Sequence, residues 1–309
     1  MEIRKKAPVI RERKERFSPL TIIMLVVLCI YCFLLFTLIG WALSKAILNA
    51  QQYALWEEKF EFYTGPIIML KGGGNFAYFM SNMTQSKTIE GVGKVIYDFW
   101  DMTLNSVLYA IGGAFVNTFV QCITAYMCAR YAYKLSGVIY GAVIVSMILP
   151  VVGSLPSEIR MAQMLGLYDK IWGVWIMKAN FLGLYFLVFH EMFKAMPMAY
   201  SEAATIDGAN DWQILWKIGF PLAKNTFLTV LLINAVALWN DYQISMVYLP
   251  NHPTLAECMH YLRTCSQDYF NYLPVKLAGP FILMMPVLIL FLCFQKRLMG
   301  NLTIGGVKG

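Results

Sequence analysis

The sequence predicts an all-α polytopic membrane protein with six transmembrane helices. Three observations carry this prediction: the 309-residue chain is 59% hydrophobic, it is only 14% charged, and it contains six long apolar stretches. A soluble domain is about 25% charged and about 45–50% apolar, so the composition excludes an ordinary soluble globule. A disordered chain is excluded more strongly, because disorder requires low hydrophobicity.

The first predicted span, Pro19 to Leu43, contains no charged residue. A helix of about 20 apolar residues crosses a bilayer, and a cleaved signal peptide has an apolar region of only about 7–15 residues, so we expect this span to stay on the chain. The other five spans are expected at about residues 106–128, 137–155, 171–193, 226–249 and 275–294.

The predicted organisation follows from these spans. It comprises a basic arm (1–18), the first transmembrane helix (19–43), an extracytoplasmic loop or cap (44–104), a core with five transmembrane helices (105–294) and a C-terminal tail (295–309). The long loop 44–104 is rich in aromatic residues. It is interpreted as a small folded cap with interfacial helices or as a docking surface for an external partner, and the two interpretations are compatible.

Basic residues predict the orientation, because Lys and Arg accumulate on the cytoplasmic side of a membrane. Residues 1–16 contain seven of them: Arg4, Lys5, Lys6, Arg11, Arg13, Lys14 and Arg16. With six spans, the pair Lys296 and Arg297 in the tail also lies inside. Both termini are therefore expected in the cytoplasm, and the basic arm is interpreted as a topology determinant and not as a nucleic-acid-binding arm.

Two cysteines, Cys258 and Cys265, share the outer loop after the fifth span and form a possible disulfide. Seven residues along a straight helix separate the Cα atoms by about 10.5 Å, which is too far for a disulfide, so the bond requires a bend.

Enzyme signatures are absent from the sequence. It contains no GxxxxGK[ST] phosphate loop, no HExxH and no GxSxG, and its three His share no metal-ligand spacing with a Cys pair. Because no nucleophile, base and oxyanion donor can be nominated together, transport or signalling is favoured over catalysis. We expect no catalytic residue and no metal site.

The cytoplasmic loop 196–222, MPMAYSEAATIDGANDWQILWKIGFPL, predicts a helix-turn-helix. A short helix is expected over Ala199 to Ile206, and Gly208 suits the left-handed residue that ends a helix. Asn210 or Asp211 can cap a second short helix. Pro221 is expected to restart the chain into the fifth span.

This loop resembles the EAA loop of ABC importer permeases. The matching residues are Glu202, Ala203, Ala204, Gly208, Ile218 and Pro221, with Phe220 where the pattern prefers Leu. The string Ile206-Asp207-Gly208-Ala209 is similar to that of the carbohydrate group, the maltose-permease G-type subunits. The resemblance extends over about residues 100–309 and includes Asn105-Ser106, Ala125-Tyr126 with Ala129-Arg130, Trp239-Asn240-Asp241 and the C-terminal Gly305-Gly306-Val307-Lys308-Gly309.

The resemblance implies a type I ABC importer permease bundle in a bacterial plasma membrane. The loop would be a coupling helix that docks on an ATPase, with contacts from Glu202, Ala203, Ala204, Asp207, Gly208, Ile218 and Pro221. Two ATPase subunits would use ATP and Mg, and this chain would bind no cofactor. A second homologous permease, an extracytoplasmic solute-binding protein and a carbohydrate substrate complete the implied set of partners.

Polar residues inside the spans are candidates for the translocation path, because such residues usually face an interior or a cavity. The predicted path residues are Asn180, Asn234, Trp239, Asn240 and Asp241. The alternative for Asn180 and Asn234 is interhelical hydrogen bonding. Asn180 and Glu191 are expected on one helix face, three turns apart. Lys178 is expected to snorkel outward or to pair with an acidic group on a neighbouring element.

Other functions are open alternatives. A secondary transporter would work without an ATPase and would show internal repeats and mid-span carboxylates, which we do not find. A permease for a non-sugar solute differs from the leading hypothesis only in substrate.

Overall fold

The computed structural model describes residues 19–48, 74–89, 91–131, 133–149, 153–262 and 273–302, and from residue 296 onward it describes the backbone alone. Within these ranges the regular secondary structure is helical apart from two short strands. The helices are α1 (Pro19–Ile47), α2 (Gly74–Asn82), α3 (Phe99–Arg130), α4 (Lys134–Ile148), α5 (Leu155–Met164), α6 (Ile171–Lys178), α7 (Leu184–Lys194), α8 (Ala199–Ile206), α9 (Asp211–Trp239), α10 (Gln243–Tyr248), α11 (Leu255–Tyr261) and α12 (Leu273–Leu302), and the strands are β1 (Thr84–Ile89) and β2 (Gly93–Asp98).

Four described helices are long and apolar enough to cross a membrane: α1, α3, α9 and α12 over Leu273–Gln295. They correspond to the predicted first, second, fifth and sixth spans. The third predicted span corresponds to α4, a shorter apolar helix of 15 residues. This arrangement is consistent with six crossings, although the fourth crossing is not one continuous helix.

The fourth predicted span, 171–193, is divided into α6 and α7 by the non-helical residues 179–183. At 1.5 Å per residue the two helices are only about 12 Å and about 16 Å long, so neither crosses a bilayer alone. Asn180 and Glu191 therefore do not share one helix face, which corrects the prediction. Asn and Gly are poor helix formers, and Asn180 and extended Gly183 both lie in this break.

The fifth span also differs from its prediction. α9 begins at Asp211 and ends at Trp239, whereas the sequence predicted 226–249 and a restart at Pro221. The helix runs through Pro221 because a π-helical turn, Leu215–Gly219, precedes it, and the Phe220 N–H donates to the Leu215 carbonyl. α9 ends inside the predicted span, and the remaining span residues begin a new helix, α10. Asp241 Oδ1 accepts the N–H groups of Gln243 and Ile244 at the start of α10.

The region of the predicted loop or cap, 44–104, contains a hairpin that was not predicted from the sequence. β1 and β2 pair antiparallel, with Thr84 opposite Asp98. From β1, Lys87 Nζ lies 2.7 Å from Oε1 of the buried Glu257 on α11, and Gln85 Nε2 lies 3.3 Å from the same oxygen. These bonds hold the hairpin on α11, which lies between α9 and α12 in the chain.

Two apolar clusters hold the bundle together. The first joins α3, α7 and α9 through buried residues that include Tyr126, Phe186, Phe189, Phe193 and Phe227. The second joins α2, α3, α9 and α12 near the cap through Phe79, Met102, Trp239 and Val275. In contrast, α1 buries none of its most apolar 18-residue window, so this helix presents its side chains to its surroundings.

Candidate functional site

The short helix predicted in the loop 196–222 is present as α8, and none of its residues is buried. Glu202 lies in its first turn, Ala203 is exposed and Ala204 is half-buried. Ile206, the last residue of α8, is 87% exposed. The side chain of Ile206 therefore points away from the rest of the chain.

The sequence predicted that Gly208 is the left-handed residue that ends α8. The structure confirms this prediction, because Gly208 has φ +82°. The Gly208 N–H donates to the Thr205 carbonyl, and the Ala209 N–H donates to the Ala204 carbonyl. This pair of bonds is a Schellman motif, which ends a helix with a left-handed residue. Asp207 is the exposed residue between the helix and that glycine.

Asn210 caps the start of the next helix, α9, as one of the two predicted alternatives. Its side chain accepts the Gln213 N–H at 2.9 Å, and Gln213 Oε1 accepts the Asn210 N–H at 3.0 Å. This reciprocal capping box satisfies two backbone N–H groups at the start of α9. Ile218 and Pro221 lie in the first part of α9, beyond the turn, where Ile218 is half-buried and Pro221 is exposed.

Arg130, the last residue of α3, holds α8 in place. Its Nη1 donates to the Met196 carbonyl at 2.9 Å, and its Nη2 donates to the Ser201 hydroxyl. A planar guanidinium makes two such bonds in a fixed geometry. Arg130 belongs to the family resemblance, but its role could not be predicted, because nothing in the sequence shows that residue 130 reaches residues 196 and 201.

A cavity of about 420 Å³ lies between α8 and the ends of α3 and α9. It is lined by Tyr126, Arg130, Tyr131, Met198, Ser201, Glu202, Thr205, Ile206, Asp211 and Ile214. The pKa of Tyr131 is raised, first by burial and then by the neighbouring Tyr126 and Asp211, so its phenol stays neutral. The cavity is thus lined by an arginine, two tyrosines and two carboxylates, those of Glu202 and Asp211.

Three of the predicted path residues have hydrogen-bond partners on other helices. Asn234 Nδ2 donates to Thr118 Oγ1 of α3 at 2.9 Å, which is the interhelical bond of the alternative interpretation. Trp239 Nε1 donates to the Leu283 carbonyl of α12, and Asp241 Oδ2 accepts the Tyr109 hydroxyl at 2.7 Å.

The other two predicted path residues are exposed. Asn240 donates to the Val236 carbonyl of its own helix, and Asn180 lies in the break of the fourth span. The path role of the five residues stays a prediction.

Lys178 pairs with an acidic neighbour, as one of its two predicted alternatives. Its Nζ lies 2.8 Å from Glu158 Oε2 of α5, and the same carboxylate accepts the hydroxyls of Ser154 and Tyr248. Lys178 and these two hydroxyls lower the pKa of Glu158 to about 2. The cluster joins α5 and α6 to α10.

The possible disulfide lies outside the described residues, because Cys265 is not among them, and Cys258 is buried in α11. Among the residues that the structure describes, no group of three or more His, Cys, Asp or Glu is arranged to hold a metal ion.

Comparison with known proteins places the chain in a family. The family model described as the binding-protein-dependent transport system inner membrane component matches residues 121–298, which is more than half of the chain. The match includes α8, the turn at Gly208 and α9.

Curated relatives match over about two thirds of the chain. The melibiose/raffinose/stachyose import permease MelC of Bacillus subtilis is 28% identical over 218 residues, which are 65% of this chain and 77% of the relative. The multiple sugar-binding transport system permease MsmG of Streptococcus mutans is 28% identical over 222 residues, 71% of this chain and 78% of the relative. The arabinooligosaccharide permease AraQ of Bacillus subtilis is 25% identical, and the match covers 70% of this chain and 76% of the relative.

A solved structure shows the same fold. In the crystal structure of a bacterial ABC transporter that imports the acidic polysaccharide alginate, one chain matches with a TM-score of 0.68 and 21% identity, covering 92% of this chain and 99% of that one. The fold is therefore that of an ABC importer permease. The matched family works with a solute-binding protein and ATPase subunits, and this chain is a multi-pass membrane subunit and not an enzyme. The chain belongs to the binding-protein-dependent transport system inner membrane component family.

Proposed function

We propose that this chain is one of two membrane-spanning subunits of an ATP-driven importer for an oligosaccharide or another carbohydrate. Several similar proteins, among them MelC, MsmG and AraQ, are named for sugar transport. The Ile206-Asp207-Gly208-Ala209 string of the loop is the form that resembles the carbohydrate group.

The observation that carries the proposal is the exposed α8 with its Schellman turn. A short helix with no buried residue, an 87% exposed Ile206 and an acidic Glu202 is suited to docking in a groove of another protein. We assign that groove to a cytoplasmic ATPase subunit. Glu202, Asp207 and Ile206 make the contacts, Ala203 and Ala204 allow close approach, and Gly208 sets the angle of the helix. Ile218 and Pro221 position the start of α9 behind it.

ATP and Mg are used by the two ATPases, and this chain binds neither. Closure of the ATPases brings α8 of this chain towards that of the second permease, and the spans alternate between inward- and outward-facing states. The N- and C-termini lie in the cytoplasm of a bacterial cell. A sugar-loaded binding protein delivers its ligand on the side of the hairpin, at the opposite end of α3 from Arg130.

The test is co-purification in mild detergent, with the proteins of the native gene cluster co-expressed. A tagged wild-type chain is expected to bring down a second permease and an ATPase. Glu202→Arg is expected to release the ATPase while the second permease stays bound. The matched control is Glu191→Arg, which reverses an exposed carboxylate on α7 outside the loop and should release nothing. Purification of the wild-type chain alone would contradict the proposal.

A second candidate substrate is an osmoprotective compound. One relative at 25% identity, GgtD of Synechocystis, is named an osmoprotective compounds uptake permease. Uptake into proteoliposomes, with the binding protein added outside, separates the candidates when raffinose, an arabinooligosaccharide and glycine betaine are compared. Uptake of glycine betaine alone would replace the carbohydrate substrate while leaving the ATPase-coupled mechanism intact.

A further inference from the structure

The short helix α5 has an exposed apolar side. Met161, Met164 and Leu165 are spaced i, i+3 and i+4, so they share one side of the helix, and they are 50%, 83% and 63% exposed. Ala162, on the opposite side, is fully buried. A group of neighbouring apolar side chains that the chain itself leaves uncovered marks a surface for a membrane or for another protein.

A small apolar cluster fixes the depth of α5 in the membrane. Tyr109 of α3, Val174 of α6 and Tyr248 are buried in this cluster, and Ile159 of α5 packs against it. The distance from Tyr109 to Arg130 along α3 is about 31 Å at 1.5 Å per residue. Because the hydrocarbon core of a bilayer is about 30 Å thick, the Tyr109 cluster lies at one membrane surface when Arg130 lies at the other.

α5 stays at that surface because it is too short to cross the bilayer. Its 10 residues extend about 15 Å. The next crossing starts from the same level, since Ile171, the first residue of α6, also packs against the Tyr109 cluster. The exposed side of α5 therefore lies at the level of the lipid headgroups and the ends of the acyl chains next to them.

The exposed charges around α5 are both positive. Between residues 153 and 178 the exposed charged residues are Arg160 and Lys170. The carboxylates of this segment are engaged elsewhere: Glu158 belongs to the ion pair described above, and Asp169 accepts two hydrogen bonds from Asn251. Two exposed cations beside an apolar side favour an anionic lipid as the occupant of this surface.

Lys170 and Trp172 extend this surface from α5 to α6. Lys170 Nζ donates to the Gly166 carbonyl at 2.7 Å and lies 5.3 Å from the centre of the Trp172 ring. An ammonium group has three donors, so two remain for a phosphate oxygen. Trp172 is 48% exposed, and Trp is enriched at the headgroup level of membranes.

We propose that α5 is an interfacial helix that binds an anionic phospholipid. Met161, Met164 and Leu165 lie among the acyl chains, and Arg160 and Lys170 bind the phosphate group. Arg160 is one turn from Met164, so it flanks the apolar side of the helix. The proposal goes beyond the transport function and depends neither on the substrate nor on the ATPase.

Fluorescence quenching in nanodiscs tests the position of α5. A bimane fluorophore is attached to the Met164→Cys variant in the complete transporter, in a background whose reactive native cysteines are replaced by Ala. The quenchers are phosphatidylglycerol brominated on its acyl chains and iodide in the water. Gln163→Cys is the matched control, because Gln163 is an exposed polar residue on a different side of α5. Both positions are exposed, so neither substitution removes a buried contact.

The two labels should respond to different quenchers. The label at residue 164 should be quenched by the brominated lipid and little by iodide, whereas the label at residue 163 should be quenched mainly by iodide. Quenching of the residue 164 label by iodide alone would place this side of α5 in water. Quenching by neither agent would show that a second protein covers it. Either result overturns the proposal.

Nanodiscs with equal amounts of phosphatidylglycerol and phosphatidylcholine test the lipid class, with only one of the two lipids brominated at a time. Phosphatidylglycerol should be preferred next to residue 164 by about five- to thirtyfold, the effect of one or two contacts between a cation and an anionic headgroup. Arg160→Gln combined with Lys170→Gln should remove the preference. Lys94→Gln, which removes an exposed cation of the hairpin, should keep it.

Two results of the lipid comparison would contradict the proposal. Equal quenching by the two lipids without the charge substitutions would show that the surface selects no anionic lipid. A preference that survives the combined substitution would show that Arg160 and Lys170 do not bind the headgroup.

Discussion

The guanidinium of Arg130 donates a hydrogen bond to the backbone carbonyl of Met196 over 2.9 Å, joining the end of α3 to the residues just before α8. Its second nitrogen donates to the Ser201 hydroxyl inside α8, so Arg130 contacts both the residues before this helix and the first part of the helix itself. The helix α3 continues for 32 residues from Phe99 near the cap to Arg130. One continuous helix therefore connects the hairpin side of the molecule to the exposed helix at the other end.

Arg130→Lys should weaken the link between transport and ATP hydrolysis. A Lys ammonium cannot reproduce the fork that reaches Met196 and Ser201 together. Loss of a charged hydrogen bond predicts a fall of about tenfold in sugar-stimulated ATPase activity and uptake, with the ATPase still bound. Lys134→Ala, which removes an exposed charge at the same end of the molecule, is the control. If Arg130→Ala keeps the sugar-stimulated ATPase activity of the wild type, this arginine does not position α8.

Gly208→Val should abolish uptake because Val is strained in the backbone conformation of residue 208, and not because its side chain collides with neighbouring atoms. The residue has φ +82°, yet nothing lies within 4 Å of a Cβ atom placed on it. A β-branched residue is strained at positive φ, whereas Asn tolerates this region. Gly208→Asn should therefore keep much of the activity that Gly208→Val loses. Equal loss in both variants would point to a direct contact of the glycine with the partner.

Ile206→Ser should weaken ATPase docking without weakening the chain itself. Because the side chain is 87% exposed, its removal costs little folding stability. If the ATPase buries it, a loss of about 1.5–3 kcal/mol, or about ten- to a hundredfold in affinity, is expected. The affinity is measured by titrating purified ATPase onto immobilised permease. Val92→Ser, which removes a 73% exposed side chain at the hairpin, should leave the affinity at the wild-type value.

The Glu158 cluster predicts a defined pH dependence of stability. The pKa of Glu158 is lowered from 4.5 to about 2, so the folded state favours the ionised form. The cluster's contribution is fully present above pH 4.5 and is lost as the pH falls toward about 2. The difference in apparent Tm between wild type and Glu158→Gln should stay constant from about pH 7.5 to about pH 5.5 and shrink below pH 4.5. A difference that already shrinks at pH 6 would show that the carboxylate is not held by Lys178.

Local sequence signals were sufficient to predict the turn in the loop 196–222. Gly208 and Asn210 are the residue types that end and begin helices, and their backbone bonds are local, so spacing alone predicted the turn. The hairpin had an unused sequence signal: Gly91 and Gly93 lie between two short runs with residue types that favour strands, among them Thr88, Ile89, Val95, Ile96 and Tyr97. The break at Asn180 was missed because hydropathy averaged over about 20 residues does not register a short irregular segment.

The sequence by itself determined the membrane class, the long spans and the exposed α8, because each depends on the composition or spacing of neighbouring residues. Tertiary structure alone decided which distant groups meet. Arg130 reaches Met196 and Ser201 across 66 and 71 residues, Glu257 pairs with Lys87 across 170, and Asn234 bonds Thr118 across 116. The physical reason is that a polar side chain in a bundle is satisfied or left unpaired by whatever helix packs against it, and that neighbour is set by the whole fold.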